Sequence, residues 1–367
     1  MSSLKKVLAN AALAVFSLAL ALALGEIAVR LLFKEATVLF PRYHKDYQYG
    51  KYTIRGIRPN AEFRHTSVDG SWTFVTNGRG FRNTREFAYA KPAGKVRVLS
   101  LGDSQTQGYE VRQEFTFSAV TERVLRGRKV DAEVINAGVS GYSTAEALVF
   151  LESEGYKYNP DVVVLGFYAN DFEDNLRAGL FALDGRQRLA EQKYEHIPGV
   201  KVQNALYSVA PVRWLSEHSY FYSTFFNGVW EYFKALAARA AKQAVATEYA
   251  VASASGPSEK EIDLAAALIE RMQQFCADRG IRLIVVDIPM GGKHNRFASS
   301  FPPRLVERMK VAGVEHVTSQ SLFADFNGAA EMHVAHGHHH ISEFTHTLIG
   351  AEIGRRVLGP RSLAAKQ

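Results

Sequence analysis

Four short apolar runs, at residues 96–101, 133–136, 162–167 and 282–287, punctuate the chain, with a shorter fifth at 314–317. They are built from Val, Ile and Leu without the polar alternation of a strand that has one wet face, and the segments between them are amphipathic. Unbroken apolar strands separated by helices belong to a parallel sheet covered on both faces. The predicted fold class is therefore α/β, a doubly wound three-layer α/β/α arrangement around a short parallel sheet. One of the connecting helices has legible ends. Ser258 with Glu261 forms a capping box, Ile262, Ala265, Leu268, Ile269, Met272 and Phe275 make a buried stripe, and Gly280 supplies the stop.

The N-terminus is a different kind of segment. Lys5 and Lys6 precede an uncharged run over residues 7–25, and Glu26 and Arg30 end it. About 20 apolar residues in a helix cross a bilayer core. The alternation of Ala19, Ala21 and Ala23 fits a signal-peptide cleavage site, but the run exceeds the ~7–15 residues of a signal core. The reading adopted is an uncleaved transmembrane helix at 1–35, with the lysines cytoplasmic and the rest extracytoplasmic, on the periplasmic side in a Gram-negative cell. Residues 36–92 read as an extended, β-rich preface, with a hairpin over 63–76 that turns at Asp69-Gly70. Residues 93–360 form the α/β domain, interrupted by a helical insertion at about 176–257. The middle of that insertion holds Tyr220, Phe221, Tyr222, Phe225, Phe226, Trp230, Tyr232 and Phe233. A lid or acyl-binding cap and a helix pair packed on the core or the membrane surface both fit.

Composition narrows the partners. With 47% hydrophobic and 22% charged residues the chain is globular, and its net charge of +7 suits anionic surfaces in general. No nucleic-acid-binding motif accompanies that charge, so no nucleic-acid partner is predicted. The single cysteine, Cys276, excludes an intramolecular disulfide and falls on the apolar side of a helix.

Three segments leave the carboxyl ends of the first three strands, where α/β sheets bind ligands. Gly102-Asp103-Ser104 follows the first strand and opens a helix, placing a hydroxyl among exposed backbone N–H groups. Residues 136–144, Asn-Ala-Gly-Val-Ser-Gly-Tyr-Ser-Thr, follow the second. Tyr168-Ala169-Asn170-Asp171 follows the third. A serine N–H, a glycine N–H and an asparagine amide together make a three-donor oxyanion hole.

These ordered blocks resemble the SGNH (GDSL) family of serine esterases and acyltransferases, whose motifs supply a Ser, a Gly, an Asn and a His in that order. The resemblance covers residues 93–355. It implies the flavodoxin-like SGNH fold, with Ser104 as nucleophile and Ser104, Gly141 and Asn170 as the oxyanion hole. Tyr168 stands where the family has glycine. His340, followed by Ile341-Ser342 and a helix capped by Ser342, matches the catalytic histidine. The family's acid, two or three residues before that histidine, is missing: position 337 is Gly and position 338 is His. Either a Ser104–His340 dyad suffices, or Asp325, Glu331 or Glu343 stands in, or the site is degraded. Glu343 lies three residues before His346, an alternative base that would sit within the helix.

Six histidines, at 333, 336, 338, 339, 340 and 346, cluster near the C-terminus, but without cysteine or a His-Glu-x-x-His pattern they call for no metal. Acyl transfer through serine needs no cofactor. Asp103 and Asp171 are expected to orient turn backbones, and Asp287 to mark a loop entry. The function expected is ester hydrolysis on a cell-envelope carbohydrate or lipid, by a protein bound to the membrane through its N-terminal helix. Two alternatives stay open at this point, an O-acyltransferase onto an envelope glycan and a non-catalytic glycan- or lipid-binding protein.

Overall fold

The computed structural model describes residues 3–41, 43–192, 199–226, 228–229, 256–336 and 338–359. Helix α1 (Ser3–Leu32) is followed by two antiparallel hairpins, β1 (His44–Tyr49) with β2 (Tyr52–Ile57) and β3 (Glu62–Ser67) with β4 (Gly70–Val75). The second is the hairpin expected at Asp69-Gly70. The first is not visible in the sequence because its strands carry Lys, Asp, Gln and Arg rather than an apolar alternation.

The α/β domain begins with β5 (Val96–Gly102), α2 (Ser104–Gln107), α3 (Phe117–Gly127), β6 (Ala132–Asn136), α4 (Thr144–Ser153), β7 (Val162–Phe167) and α5 (Asp171–Ala178). A small hairpin, β8 (Phe181–Leu183) with β9 (Leu189–Glu191), and helices α6 (Gly199–Tyr207) and α7 (Ala210–His218) follow within the insertion. After the helix Glu259–Ala277 come β10 (Arg282–Asp287), the short pair β11 (Met290–Gly291) and β12 (Phe297–Ala298), the helix Pro303–Val311, β13 (Glu315–Val317) and the C-terminal helix Glu343–Leu358. All five predicted strands pair in one parallel sheet of order β13-β10-β7-β5-β6.

Neighbouring strand residues face opposite helical layers, which explains the unbroken apolar runs. Leu99, Leu101, Val163, Leu165 and Val285 pack with α4, Glu259–Ala277 and Pro303–Val311 on one face. Val98, Val162, Val164, Ile284 and Val286 pack with α3 and the C-terminal helix on the other. Burying each such side chain contributes roughly 1.5–3 kcal/mol. The predicted capping box at Ser258 and Glu261 is formed. Of the predicted stripe only Phe275 stays partly exposed. Gly280 adopts left-handed backbone in the turn beyond the helix end.

The preface shares the first of these clusters, contributing Phe40, Tyr43, Ile54, Phe63 and Phe74. Fully buried Arg97 on β5 ties it down: the guanidinium pairs with Glu133 at 2.7 Å and donates to the carbonyls of Ala88 and Tyr158. The described part of the insertion packs on β1, β3 and the end of α1. Of its aromatic residues, Trp230, Tyr232 and Phe233 lie outside the described residues.

Candidate active site

β5 lies between β6 and β7, so the chain leaves it first to one side and then to the other. Such a reversal opens a crevice at the carboxyl end of the sheet. Ser104 is the first residue of α2 and stands in that crevice. Asp103 caps the helix, its carboxylate accepting from Gln105 N–H at 2.9 Å, which is the turn-orienting role expected of it.

The β6 loop is pressed against this helix. A Cβ on Gly138 would lie 2.4 Å from Gln107 N, so only glycine permits the approach. Ser140 then donates from both N–H and Oγ to Gln107 Oε1 at 2.6 Å. The next residue, Gly141, adopts φ +77°, a left-handed conformation natural to glycine. On the β7 side, Asp171 accepts from Tyr168 N–H at 3.0 Å, and Asn170 Nδ2 donates to Asp174 Oδ2 at 2.9 Å. Among the described residues, the N–H groups of Ser104 and Gly141 donate no hydrogen bond. Burial pushes the Asp174 carboxyl up to about 7, aided by the charge of Glu146.

His340 arrives on the loop before the C-terminal helix, whose N-cap is Ser342 as expected. Its Nε2 lies 2.8 Å from Ser104 Oγ, and its Nδ1 lies 3.0 Å from Glu110 Oε2. With the proton on Nδ1, the imidazole donates to the carboxylate and accepts from the serine hydroxyl. Ser104, His340 and Glu110 are all buried.

Glu110 fills the place left open by the sequence, and three of its surroundings hold it there. Its backbone takes φ +60°, an uncommon conformation for a non-glycine residue. His338 N–H donates to both carboxylate oxygens at 3.2 Å. The buried guanidinium of Arg82 clasps the loop from below, donating to the carbonyls of Gln107 at 3.0 Å, Val111 at 2.7 Å and Gly108. Burial alone would raise the Glu110 pKa, but the His340 hydrogen bond, the His340 and His338 charges and the His338 N–H outweigh it. The carboxyl is held below its ordinary value.

The carboxylates named from the sequence lie elsewhere. Glu343 is engaged by Arg112, accepting from its Nε at 2.8 Å and its N–H at 3.0 Å. Asp325 sits in a short helical turn, and Glu331 meets Ser342 through its backbone carbonyl. Among the described residues, none of the three touches His340. His346 is a buried helix residue whose Nδ1 accepts from Phe117 N–H at 3.1 Å. Asp287 joins two loops, accepting from Ser299, Ser300 and Ser319. A cue to Glu110 was present in the sequence: a lone acid between Tyr109 and Val111, two residues after Gly108. A carboxylate in such apolar company needs a buried partner.

A family model, described as GDSL-like lipase/acylhydrolase, matches residues 100–305. The chain belongs to that family. It is an ester-hydrolysing enzyme of the GDSL/SGNH type, and its five-stranded parallel sheet is the sheet of that fold. No curated protein matches the chain in sequence. Among solved structures it is similar to TesA, at 14% identity and TM-score 0.39 over 72% of this chain and 98% of that one. It is also similar to a lipase/acylhydrolase from Enterococcus faecalis, at 16% identity and TM-score 0.41 over 72% and 96%. A third is the psychrotrophic esterase EstA from a Pseudoalteromonas species, at 14% identity and TM-score 0.38 over 71% and 96%. Among the described residues of this GDSL-family chain, one helix, Leu4–Leu32, is long and apolar enough to cross a membrane.

Proposed function

We propose that this protein is a membrane-anchored, extracytoplasmic serine esterase acting through an acyl-Ser104 intermediate. The observation that carries the reading is the unbroken relay of 2.8 Å from Ser104 to His340 and 3.0 Å from His340 to Glu110. Ser104 Oγ attacks the ester carbonyl while His340 Nε2 takes its proton. Glu110 keeps the imidazole in the accepting tautomer and stabilises the imidazolium that forms. The N–H groups of Ser104 and Gly141 and the Asn170 amide receive the oxyanion. Collapse expels the alcohol, which leaves with the proton from His340. Water repeats the sequence to release the acid.

The substrate proposed is an ester of a cell-envelope carbohydrate or lipid. A cavity of about 280 Å³ adjoins Asn170, lined by Phe172, Met290, Ser300 and Pro302 among others. That volume suits a small acyl group or a single sugar ring better than a long chain. The insertion stands at the end of α1, where Glu26 accepts from Ser219 Oγ at 2.7 Å and Phe221 N–H at 2.9 Å, and Arg30 lies 4.7 Å over the Tyr220 ring. Close by, Val209, Trp214 and Phe225 are exposed. Apolar side chains beside a membrane span favour work at the bilayer surface.

The test uses the full chain in detergent with p-nitrophenyl acetate and a fluorophosphonate probe, beside Ser104→Ala and His340→Ala. Turnover and labelling by the parent chain, lost in both variants, are expected. A parent chain that neither turns over nor labels overturns the reading.

A further inference from the structure

Glu110, His338 and His340 each offer a ligand atom, and these atoms lie within 4.8 Å of one another. Two of the three form the serine relay, and the third, His338, supports it through its backbone N–H bonds to Glu110. We propose that this trio is an inhibitory site for a divalent transition-metal ion of the zinc type. The proposal rests on the reading of His340 as the base for Ser104.

The donor set suits such an ion. Zinc takes imidazole nitrogen and carboxylate oxygen at about 2.0–2.2 Å in tetrahedral geometry, so its ligand atoms stand roughly 3.3–3.5 Å apart. His340 Nδ1 and Glu110 Oε2 are already 3.0 Å apart. The stem of His338 is fixed by its N–H bonds to Glu110, and its ring packs on Tyr109 with centroids 5.5 Å apart. A modest turn of that ring closes the triangle. His338 is partly exposed, unlike its two partners, and gives the ion a way in. A fourth position is left for water.

Capture at this point silences the base for a reason of proton accounting. In the working tautomer the proton is on Nδ1 and Nε2 is bare. A metal bound at Nδ1 uses that nitrogen's lone pair, so the single N–H proton of the neutral imidazole must shift to Nε2. The atom facing Ser104 Oγ becomes a donor and can no longer take the hydroxyl proton. Glu110 is drawn to the metal at the same time, so His340 also loses the carboxylate that orients it.

Binding is separated from catalysis by titrating ZnCl₂ calorimetrically into the full chain bearing Ser104→Ala, which keeps all three ligands. One ion per chain is expected. Adding His338→Ala should weaken binding by about tenfold or more, the scale typical when a metal site loses supporting contacts. Adding His336→Ala, which removes a ring paired with Asp69, should leave it unchanged. In the parent enzyme Zn²⁺ should abolish ester turnover and EDTA restore it, with Mg²⁺ inert. In His338→Ala, half-inhibition of the turnover that variant shows should shift upward by a similar factor, read relative to its own metal-free rate. Equal zinc affinity with and without His338, or equal weakening by His336→Ala, overturns the proposal. If the esterase reading were wrong there would be no turnover to inhibit, yet the calorimetric result would stand.

Discussion

Glu110 Oε2 lies 3.0 Å from His340 Nδ1 across 230 residues of chain. It reaches that position from the turn after α2, six residues beyond Ser104. One short segment therefore carries both Ser104 and the carboxylate, while His340 comes from the far end of the domain.

Glu110→Gln preserves the shape of that carboxylate and removes its charge. Loss of the corresponding charge in an intact serine relay costs on the order of 10⁴ in turnover. A loss of that order in kcat for p-nitrophenyl acetate is expected, with KM little changed. Glu343→Gln, which breaks only the pair with Arg112, should stay within about twofold of the parent, as expected of an exposed ion pair. Steady-state kinetics of the two variants decide between the carboxylates.

Arg82 is a positioning residue for Glu110. Replacing it by Met removes all three of these hydrogen bonds and leaves the buried Val111 carbonyl unsatisfied, and an unsatisfied group costs roughly 1–3 kcal/mol. A lower thermal midpoint and a lower kcat are expected together. Arg82→Lys, a point charge in place of a planar fork, should recover more of the stability than of the kcat. Thermal melts and kinetics on the same preparations test the split.

Asp174 should destabilise the fold in order to hold Asn170. Its carboxyl titrates at about 7 in the folded chain, against about 3.9 when unfolded. Between those values the folded state binds more protons, so its stability falls as pH rises from about 4 to 7. Asp174→Asn should remove that loss and raise stability at pH 8 by about 1–4 kcal/mol. Denaturant melts at pH 5 and pH 8 measure it, with the gain confined to the higher pH.

His346 acts in the opposite sense. Burial and the Arg82 and His340 charges lower its pKa to about 3, whereas an unfolded histidine titrates near 6.5. Below about 6.5 the unfolded state takes up the extra proton, and each unit of further acidification costs about 1.4 kcal/mol until about pH 3. A His346→Gln variant should show a shallower loss of thermal midpoint between pH 6.5 and pH 4 than the parent chain.

Much of the architecture is local information. The five strand segments, the capping box at Ser258 and Glu261 and the hairpin at Asp69-Gly70 follow from periodicity and turn chemistry, because each is decided within about ten residues. Ser104, Gly141, Asn170 and His340 are marked by motif and spacing, and the fold brings Ser104 and His340 into contact. What the sequence could not decide was the partner of His340. A histidine N–H can donate to a carboxylate from any part of the chain, and nearness in sequence favoured Glu343, Glu331 and Asp325. Tertiary structure turned His340 Nδ1 toward the loop at Gly108, gave Glu110 its left-handed backbone and locked that loop with Arg82 from the preface. The contacts of His340 and of Arg82 with that loop join separate segments of the chain, and only the closed fold supplies the burial that makes a carboxylate there worth its cost.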